Sequence, residues 1–523
     1  MPILSALNIN VFGSGCSDCS DCECQCREER KQNYRNELMK RSTSCASFKS
    51  TNHEAYPLLL APNLTQTYKT MSTSSDTLGH AELSGSDIIA TYKRTMEKSV
   101  ITEKNKQSSL VTIFSVWNTI MGSSLLTMAW GVERAGLPMA LFLLVFMAGL
   151  CLYTAYILLK VNARHGSEGC EVPALCRTLL GGGAAALARA FSVLVLLGAT
   201  VVYWLLITSF LYHTVNYFMD VPASNITVYN SSILCRKNDP LIGLPDQPVV
   251  DPSPYWGLHS TVPVYVAFIV FPLLNFTKVS FFTKFNSLGT LSVFYLLIFV
   301  IVKGWSWGVN MGDLLVTAGR GGSDAAVLSG MLALSFYIHN IIITLMSNNA
   351  KPEKNGRDLT IAFLLVTVTY TTVGVVFYIC FPLVKSCIED NILNNFEMHD
   401  VMTAIARALL LFQVVTVYPL VVFMLRGEAA ALCSRAAGRL PALLMNLAIV
   451  TLSILFACFC PDIGTIIRYT GAVSGLIHVF ALPSLLQMRS LQLRGKLTWW
   501  KGLLYSLIIV FGTINLVMQF FVA

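Results

Sequence analysis

The stretch Ser115-Val-Trp-Asn-Thr-Ile-Met-Gly-Ser-Ser-Leu-Leu places Asn118, Thr119, Gly122, Ser123 and Ser124 in the middle of an apolar run. A helix that breaks there, inside hydrocarbon, exposes N–H and C=O groups able to hold a carboxylate, an ammonium group or sodium. The same small residues also suit close helix packing, and on this run alone packing is the simpler reading. A second run, Leu334-Ser-Phe-Tyr-Ile-His-Asn-Ile, carries His339 and Asn340 at its middle. His339 has the chemistry for proton coupling, with a hydrogen-bonded packing histidine as the plainer alternative. A third, Phe412-Gln-Val-Val-Thr-Val-Tyr-Pro, offers the neutral oxygens of Gln413 and Thr416, for interhelical bonding or for a cation. Sodium needs a shell of such oxygens, and Asn118, Thr416 and freed carbonyls supply one without a carboxylate.

No run holds Asp or Glu at its centre, for Glu133, Asp400 and Asp462 sit at ends. A pump built on a buried carboxylate relay is thereby disfavoured. Arg407 and Arg468 are the charged residues deepest in runs; Arg407 is expected to snorkel to an interface. Nucleophile elbows, Walker loops, zinc-protease helices and kinase signatures are missing, so an enzyme is not expected. Cys16, Cys19, Cys22, Cys24 and Cys26 have spacing that suits zinc or lipidation, or stay functionally silent. Glu54-Ala-Tyr-Pro-Leu-Leu looks like an acidic-dileucine sorting signal built on Glu54, Leu58 and Leu59.

These groups need elements to position them, and composition says which. Of 523 residues 54% are hydrophobic and 13% charged, where soluble domains carry about 25% charged. The charge deficit begins after about residue 108. From there, continuous apolar runs alternate with short polar breaks, at the length that crosses ~30 Å of hydrocarbon. Continuous runs specify helices rather than a barrel. The expected fold is an all-α polytopic membrane protein with about eleven spans. They lie at 110–132, 136–160, 188–218, 259–276, 284–305, 325–347, 358–384, 400–425, 441–460, 463–487 and 501–522. Residues 1–108, rich in Ser, Thr, Asn and charge, form a tail expected to be disordered and cytosolic. The net charge of +8 mostly reports loop Lys and Arg, not nucleic-acid binding.

Lys160, Arg164, Lys351, Arg357, Arg426, Arg494 and Lys501 fall on one side of these spans, which makes that side cytosolic and the C-terminus lumenal. The long loop after the third span then lies in the lumen with two glycosylation sequons, Asn225 and Asn230; those at Asn63 and Asn275 are expected to be unused. Cys235 and Cys387 are the two cysteines expected in lumenal loops, and a disulfide between them is expected. The first and sixth spans, both interrupted, hold matching positions if spans one to five and six to ten are inverted repeats. Paired interruptions of that kind point to a transporter site.

Ser109-Leu-Val-Thr-Ile-Phe, Trp117-Asn-Thr-Ile-Met-Gly-Ser-Ser, Ile338-His-Asn, Arg357-Asp-Leu, Ser386-Cys-Ile-Glu, Thr416-Val-Tyr-Pro-Leu and Ile466-Ile-Arg-Tyr carry a family resemblance. The membrane domain, 109–523, resembles the sodium-coupled neutral amino acid transporters of the amino acid/auxin permease group. The resemblance implies a five-plus-five inverted repeat (LeuT-like) plus one helix. It implies an arginine site along Asn118, Thr119, Ile120, Met121, Gly122 and Ser123, where Ser123 stands for the family's threonine. It also implies sodium at Asn118 and Thr416, and export of leucine and other neutral amino acids when lumenal arginine is bound. A lysosomal or late endosomal address and signalling to the target-of-rapamycin kinase through Rag GTPases are further implications. Within the tail, the resemblance is confined to a basic stretch around Tyr34. The alternatives are an arginine receptor with little flux and a plasma-membrane symporter.

Overall fold

In the computed structural model the described residues are 107–166, 171–220, 233–235, 255–275, 289–310, 324–433 and 439–521. They are helical, with two isolated bridges, Gln107 to Asn349 and Ile233 to Phe396, and no strand among them. The helices are α1 (Ser109–Ile120), α2 (Ser124–Ala135), α3 (Leu137–His165), α4 (Val172–Leu179), α5 (Gly182–Asp220) and α6 (Val262–Leu274). Next come α7 (Gly289–Trp307), α8 (Ala325–Ser335), α9 (Ile342–Ser347), α10 (Asn355–Thr371), α11 (Phe377–Cys380) and α12 (Val401–Cys433). The last four are α13 (Arg439–Phe459), α14 (Ile463–Ser474), α15 (Leu482–Leu493) and α16 (Trp499–Met518).

Among the described residues, eight helical stretches are long and apolar enough to cross a bilayer, nine if the bent pair α1–α2 is one span. The fourth and sixth expected spans appear as shorter apolar helices, α6 and α8. The sixth is cut at Ser335 and resumes as α9, because six residues between them leave the helix. Two π-helical turns, Thr372–Val376 and Gly475–Ala481, interrupt the seventh and tenth expected spans. Such turns widen a helix locally and concentrate at functional sites.

Small residues bring the broken helices against their neighbours. A Cβ on Gly471 of α14 would stand 2.2 Å from the Gly330 carbonyl of α8, so the two backbones touch. This is the close approach that glycine permits when both sides of an interface are apolar and only packing drives association. Gly136, at φ 74, turns the chain from α2 into α3, a conformation that disfavours residues with a Cβ. Pro138 then sits in the first turn of α3, where its missing N–H costs nothing.

The segment between α11 and α12 forms a lid over the end of the bundle away from the basic loops. A Cys235–Cys387 disulfide, with Cα atoms 4.9 Å apart, anchors it. Asn395 donates to the Cys387 carbonyl at 2.7 Å and to Leu234 at 3.2 Å. Asp390 accepts the Gly464 N–H at the start of α14, 3.0 Å away. Burial raises the Asp390 carboxyl above the ordinary carboxylate range; the Gly464 N–H opposes this and Asp462 adds to it. Lys303 and Asp400 form an ion pair that ties α7 to the same lid.

Arg407 corrects an expectation. It does not snorkel to an interface: its side chain is buried and donates to the Leu393 and Phe396 carbonyls at 2.7 and 3.1 Å. Along the chain, among the described residues, Leu393 accepts only a long 3.4 Å bond from the Phe396 N–H, and a buried carbonyl gains more from the guanidinium than the guanidinium gains from water. Arg468 is likewise buried, its guanidinium 4.7 Å from the Tyr469 ring and donating to that hydroxyl.

The Gly330–Gly471 contact predicts an asymmetry between two glycines. Gly471→Ala must push α8 and α14 apart at a cost of about 1–3 kcal/mol. Gly502→Ala, where nothing lies within 4 Å, gains roughly 0.5–1 kcal/mol of helix propensity. Thermal unfolding of the detergent-solubilised protein should lower the midpoint for the first and leave or raise it for the second. Equal midpoints would mean that the two backbones are not in contact.

Candidate functional site

The helix stops at Ile120 and restarts at Ser124 with a bend of 62°. Met121, at φ −66 and ψ 103, leaves the helical region, and its N–H makes the last bond back, to Trp117. Leu125 and Leu126 then bond to the Gly122 and Ser123 carbonyls three residues back, so α2 begins as a tight turn. Among the described residues, the N–H groups of Gly122, Ser123 and Ser124 donate to no backbone carbonyl. Their helical acceptors would have been the Asn118, Thr119 and Ile120 carbonyls, released by the same break. Three free donors at the positive end of α2 form an anion-binding geometry.

The second break runs from Phe336 to Ile341. Here Tyr337 and Ile341 bond back to Leu334 and Ile338, while the Ile338, His339 and Asn340 N–H groups make no backbone bond among the described residues. His339 is buried, and its Nε2 lies 2.9 Å from Thr154 Oγ1 of α3. His339 thus has an interhelical partner, as a packing histidine would.

One side chain joins the two breaks. Tyr370 of α10 is wholly buried, and its hydroxyl lies 3.1 Å from the Ile120 carbonyl and 3.0 Å from the Ser335 carbonyl. Ser124 Oγ is 3.2 Å away. A phenol has a single hydrogen, so the two carbonyls share it and Ser124 can donate to the phenol oxygen. The residue before it, Thr369, accepts from the Trp117 indole at 3.2 Å. Tyr203 of α5 closes the other flank, its hydroxyl 3.6 Å from where a Gly122 Cβ would stand. Gly122 therefore keeps the space between break and phenol open.

Neutral oxygens gather beside the break. Asn118 Oδ1 accepts from Thr290 Oγ1 of α7 at 3.1 Å. The neighbouring Gly289 packs against Gln413 of α12, whose Oε1 is buried without a hydrogen-bond partner. Thr416 is buried one turn further and donates to the Gln413 carbonyl at 2.8 Å. Asn118 and Thr416 are thus linked through α7 and Gln413, with no hydrogen bond between them. Thr119 is held by its own helix, donating to Ser115 at 2.7 Å; Ile120 and Met121 are buried and Ser123 half-buried. An orphaned amide oxygen among neutral donors fits a small hard cation better than it fits dry packing.

Toward the basic loops, Glu171 at the start of α4 has its carboxyl pushed up to about 7, by burial first and then by Glu428, with Arg189 opposing. Asn225, Asn230, Glu54, Leu58, Leu59 and the cysteines from Cys16 to Cys26 lie outside the described residues. Tyr370, Thr369, Tyr203 and Thr290 were missed in the sequence. Tyr370 and Thr369 had a signal, the polar run Thr367-Val-Thr-Tyr-Thr-Thr inside an apolar span. Tyr203 and Thr290 had none.

Residues 105–523 match the family described as transmembrane amino acid transporter protein. The chain is 37% identical over 452 residues to the Caenorhabditis elegans sodium-coupled neutral amino acid transporter 9 homolog, covering 79% of this chain and 74% of the relative. It is 38% identical to neutral amino acid transporter 9 of Danio rerio, covering 80% of this chain and 81% of the relative. Rattus norvegicus sodium-coupled neutral amino acid transporter 7 is 25% identical over 49% of this chain and 59% of its own length.

Tyr370→Phe should remove the shared donor and leave Ile120 and Ser335 with buried, unpaired carbonyls. The expected cost is about 1–3 kcal/mol, read as a lowered thermal midpoint. Tyr203→Phe, with no such pair of carbonyls, should change the midpoint little. If Tyr370→Phe unfolds at the wild-type temperature, the phenol does not hold the two breaks together.

Proposed function

This chain belongs to the transmembrane amino acid transporter family, with its similarity running to transporter 9 relatives, and on that premise we propose that it carries amino acids through the two broken helices. The observation that carries the proposal is the set of free N–H groups at Gly122, Ser123 and Ser124, facing the second break across Tyr370. An amino acid's carboxylate meets these donors, and its ammonium group meets the released Asn118 and Thr119 carbonyls. The substrate residues are Asn118, Thr119, Ile120, Met121, Gly122 and Ser123. Arginine is the proposed ligand, with leucine and other neutral amino acids as the exported cargo.

Sodium is proposed beside this site, on Asn118 and Thr416, with Thr290 and the orphaned Gln413 oxygen completing the donor set. Bound there, it adds a positive charge next to the carboxylate. His339 is assigned a helix-linking role rather than proton coupling, on its bond to Thr154.

The finer architecture belongs to the same proposal: eleven spans in a five-plus-five inverted repeat plus one. Interruptions in both the first and sixth expected spans support it. The basic face is taken as cytosolic, with the N-terminus there and the C-terminus lumenal. The disulfide-anchored lid and the Asn225 and Asn230 sequons then lie in the lumen. The dileucine-like Glu54, Leu58 and Leu59 favour a lysosomal or late endosomal membrane over the plasma membrane.

The receptor reading has an observation of its own. Gln107, where the tail meets the bundle, bonds to Asn348 and Ala350 just after α9, at 2.8 and 2.9 Å. Motion at the second break would therefore reach the tail, and a ligand that favours one arrangement would bias it. Rag GTPases reading the tail, and zinc on its cysteines, are proposals of the same kind.

Radiolabelled arginine and leucine in proteoliposomes test the assignment. Wild type should bind arginine and move label, and Ser123→Trp should abolish both. Binding lost in the variant, with wild type that never carried flux, would favour the receptor; no arginine binding by wild type would sink the ligand assignment. Leu58→Ala with Leu59→Ala should shift the protein from lysosomes to the cell surface, and unchanged targeting would remove the motif from the argument.

A further inference from the structure

The basic loops are not uniformly distributed over their face, and one group of cations converges with no carboxylate paired to it among the described residues. Lys160, Arg164 and His165 end α3, and Arg494 follows α15. The two helices pack together and are pinned by His165 Nε2 and Ser490 Oγ at 2.8 Å. Arg494 acts electrostatically on Lys160, Arg164 and His165, and Arg164 acts on Lys160. Residues 135–166 and 463–523 contain no Asp or Glu at all. Three cations elsewhere in the bundle do have carboxylate partners: Arg134 with Asp324, Lys303 with Asp400 and Arg357 with Asp358. Topology requires cations on this face, but not cations drawn onto one another. Mutual repulsion of that kind is relieved by an anion from outside the chain.

The surroundings say which anion. Lys160 Nζ lies 5.7 Å above the Tyr156 ring, and the Tyr153 and Tyr505 hydroxyls meet at 3.3 Å between α3 and α16. Phenols and cations together recognise phosphate oxygens. At the start of α16, Trp499 and Trp500 stack at 3.6 Å and are 68% and 63% exposed, as aromatic residues are at headgroup depth. Below them Leu503, Leu504 and Leu507 of α16 are exposed, a surface for acyl chains. Phe146 and Phe511, 5.3 Å apart, hold α3 against α16.

We propose that Lys160, Arg164 and Arg494, framed by Tyr156, Tyr505 and the Trp499–Trp500 stack, bind the phosphorylated headgroup of an anionic membrane lipid. The headgroup bridges the ends of α3 and α15, and the lipid tails lie along α16. Basic sites between helices at this depth are where phosphoinositide headgroups bind. The site is separate from the broken helices and does not depend on what they carry.

The test uses the full chain in neutral detergent, titrated with dioctanoyl phosphatidylinositol bisphosphate, dioctanoyl phosphatidylcholine or the bare inositol polyphosphate headgroup. The phosphorylated lipid should raise the thermal midpoint, phosphatidylcholine should not, and the rise should shrink in 0.5 M salt. In Lys160→Gln with Arg164→Gln and Arg494→Gln the apparent affinity should fall on the order of a hundredfold. Arg494→Gln alone, at an exposed position, should weaken it about fivefold, and it serves if the triple variant does not fold. Arg426→Gln, on another helix, should keep the full response. Unchanged affinity in Arg494→Gln and the triple variant would overturn the site. An equal rise with the bare headgroup at the same concentration would overturn the lipid and leave a free-anion site.

Discussion

Backbone polar groups released inside hydrocarbon must find partners, and nearly everything at the centre of this bundle answers that demand. An intact helix satisfies its own N–H and C=O groups, which is why apolar spans are helical. Breaking the chain at Met121 and again at Phe336 gives up that self-sufficiency at two places. Tyr370 answers for one carbonyl from each break, and for both with a single hydrogen. The arrangement is incomplete by construction, since among the described residues the N–H groups of Gly122 to Ser124 keep no backbone partner. Donors left open at the positive end of α2 make a geometry suited to an anion.

The same constraint explains the lid on the opposite end. Its backbone is irregular, so local turn bonds satisfy its carbonyls only in part. Arg407 and Lys385 reach those carbonyls from buried positions, Lys385 donating to Phe381 at 2.9 Å and Ile379 at 3.1 Å. These cations are structural because each adds a charged donor to buried carbonyls that otherwise accept at most a single weaker bond among the described residues. Asp390 works with the opposite polarity, as an acceptor for the first N–H groups of α14. The disulfide to Cys387 fixes the lid to a segment 152 residues earlier in the chain, so the closure does not depend on hydrogen bonds alone. Lys160, Arg164 and Arg494 are a different population, with no carboxylate on α3 or α15.

Close packing sets how far these parts can move independently. Gly330 and Gly471 bring α8 and α14 to backbone contact, and Gly475 sits against Ala333 with a would-be Cβ 2.8 Å away. The second break is therefore clamped to α14 and the π-helical turn that follows it. Its other end is bonded, through Asn348 and Ala350, to the residue where the tail begins. Asn349 donates to the buried Asp358 at 2.9 Å, and Arg357 holds the other oxygen of that carboxylate at 2.8 Å, which gives the Arg357-Asp-Leu sequence its structural role.

Hydropathy alone was enough to read helices, their approximate order and the two interruptions, because a span must be apolar over its whole length and Asn118, Gly122, His339 and Asn340 visibly violate that rule. The pairing of Cys235 with Cys387 also followed from which loops share a side. Partnership across distance was not legible. Nothing in the sequence says that Tyr370 reaches Ile120, 250 residues earlier, or that Asn118 meets Thr290 rather than Thr416 directly. Arg407 was misread for the same reason, since its acceptors belong to a lid whose path only the folded chain defines. Periodicity and polarity report what a segment can tolerate around it. The identity of the group that satisfies each freed carbonyl is decided by the helices that tertiary packing brings alongside.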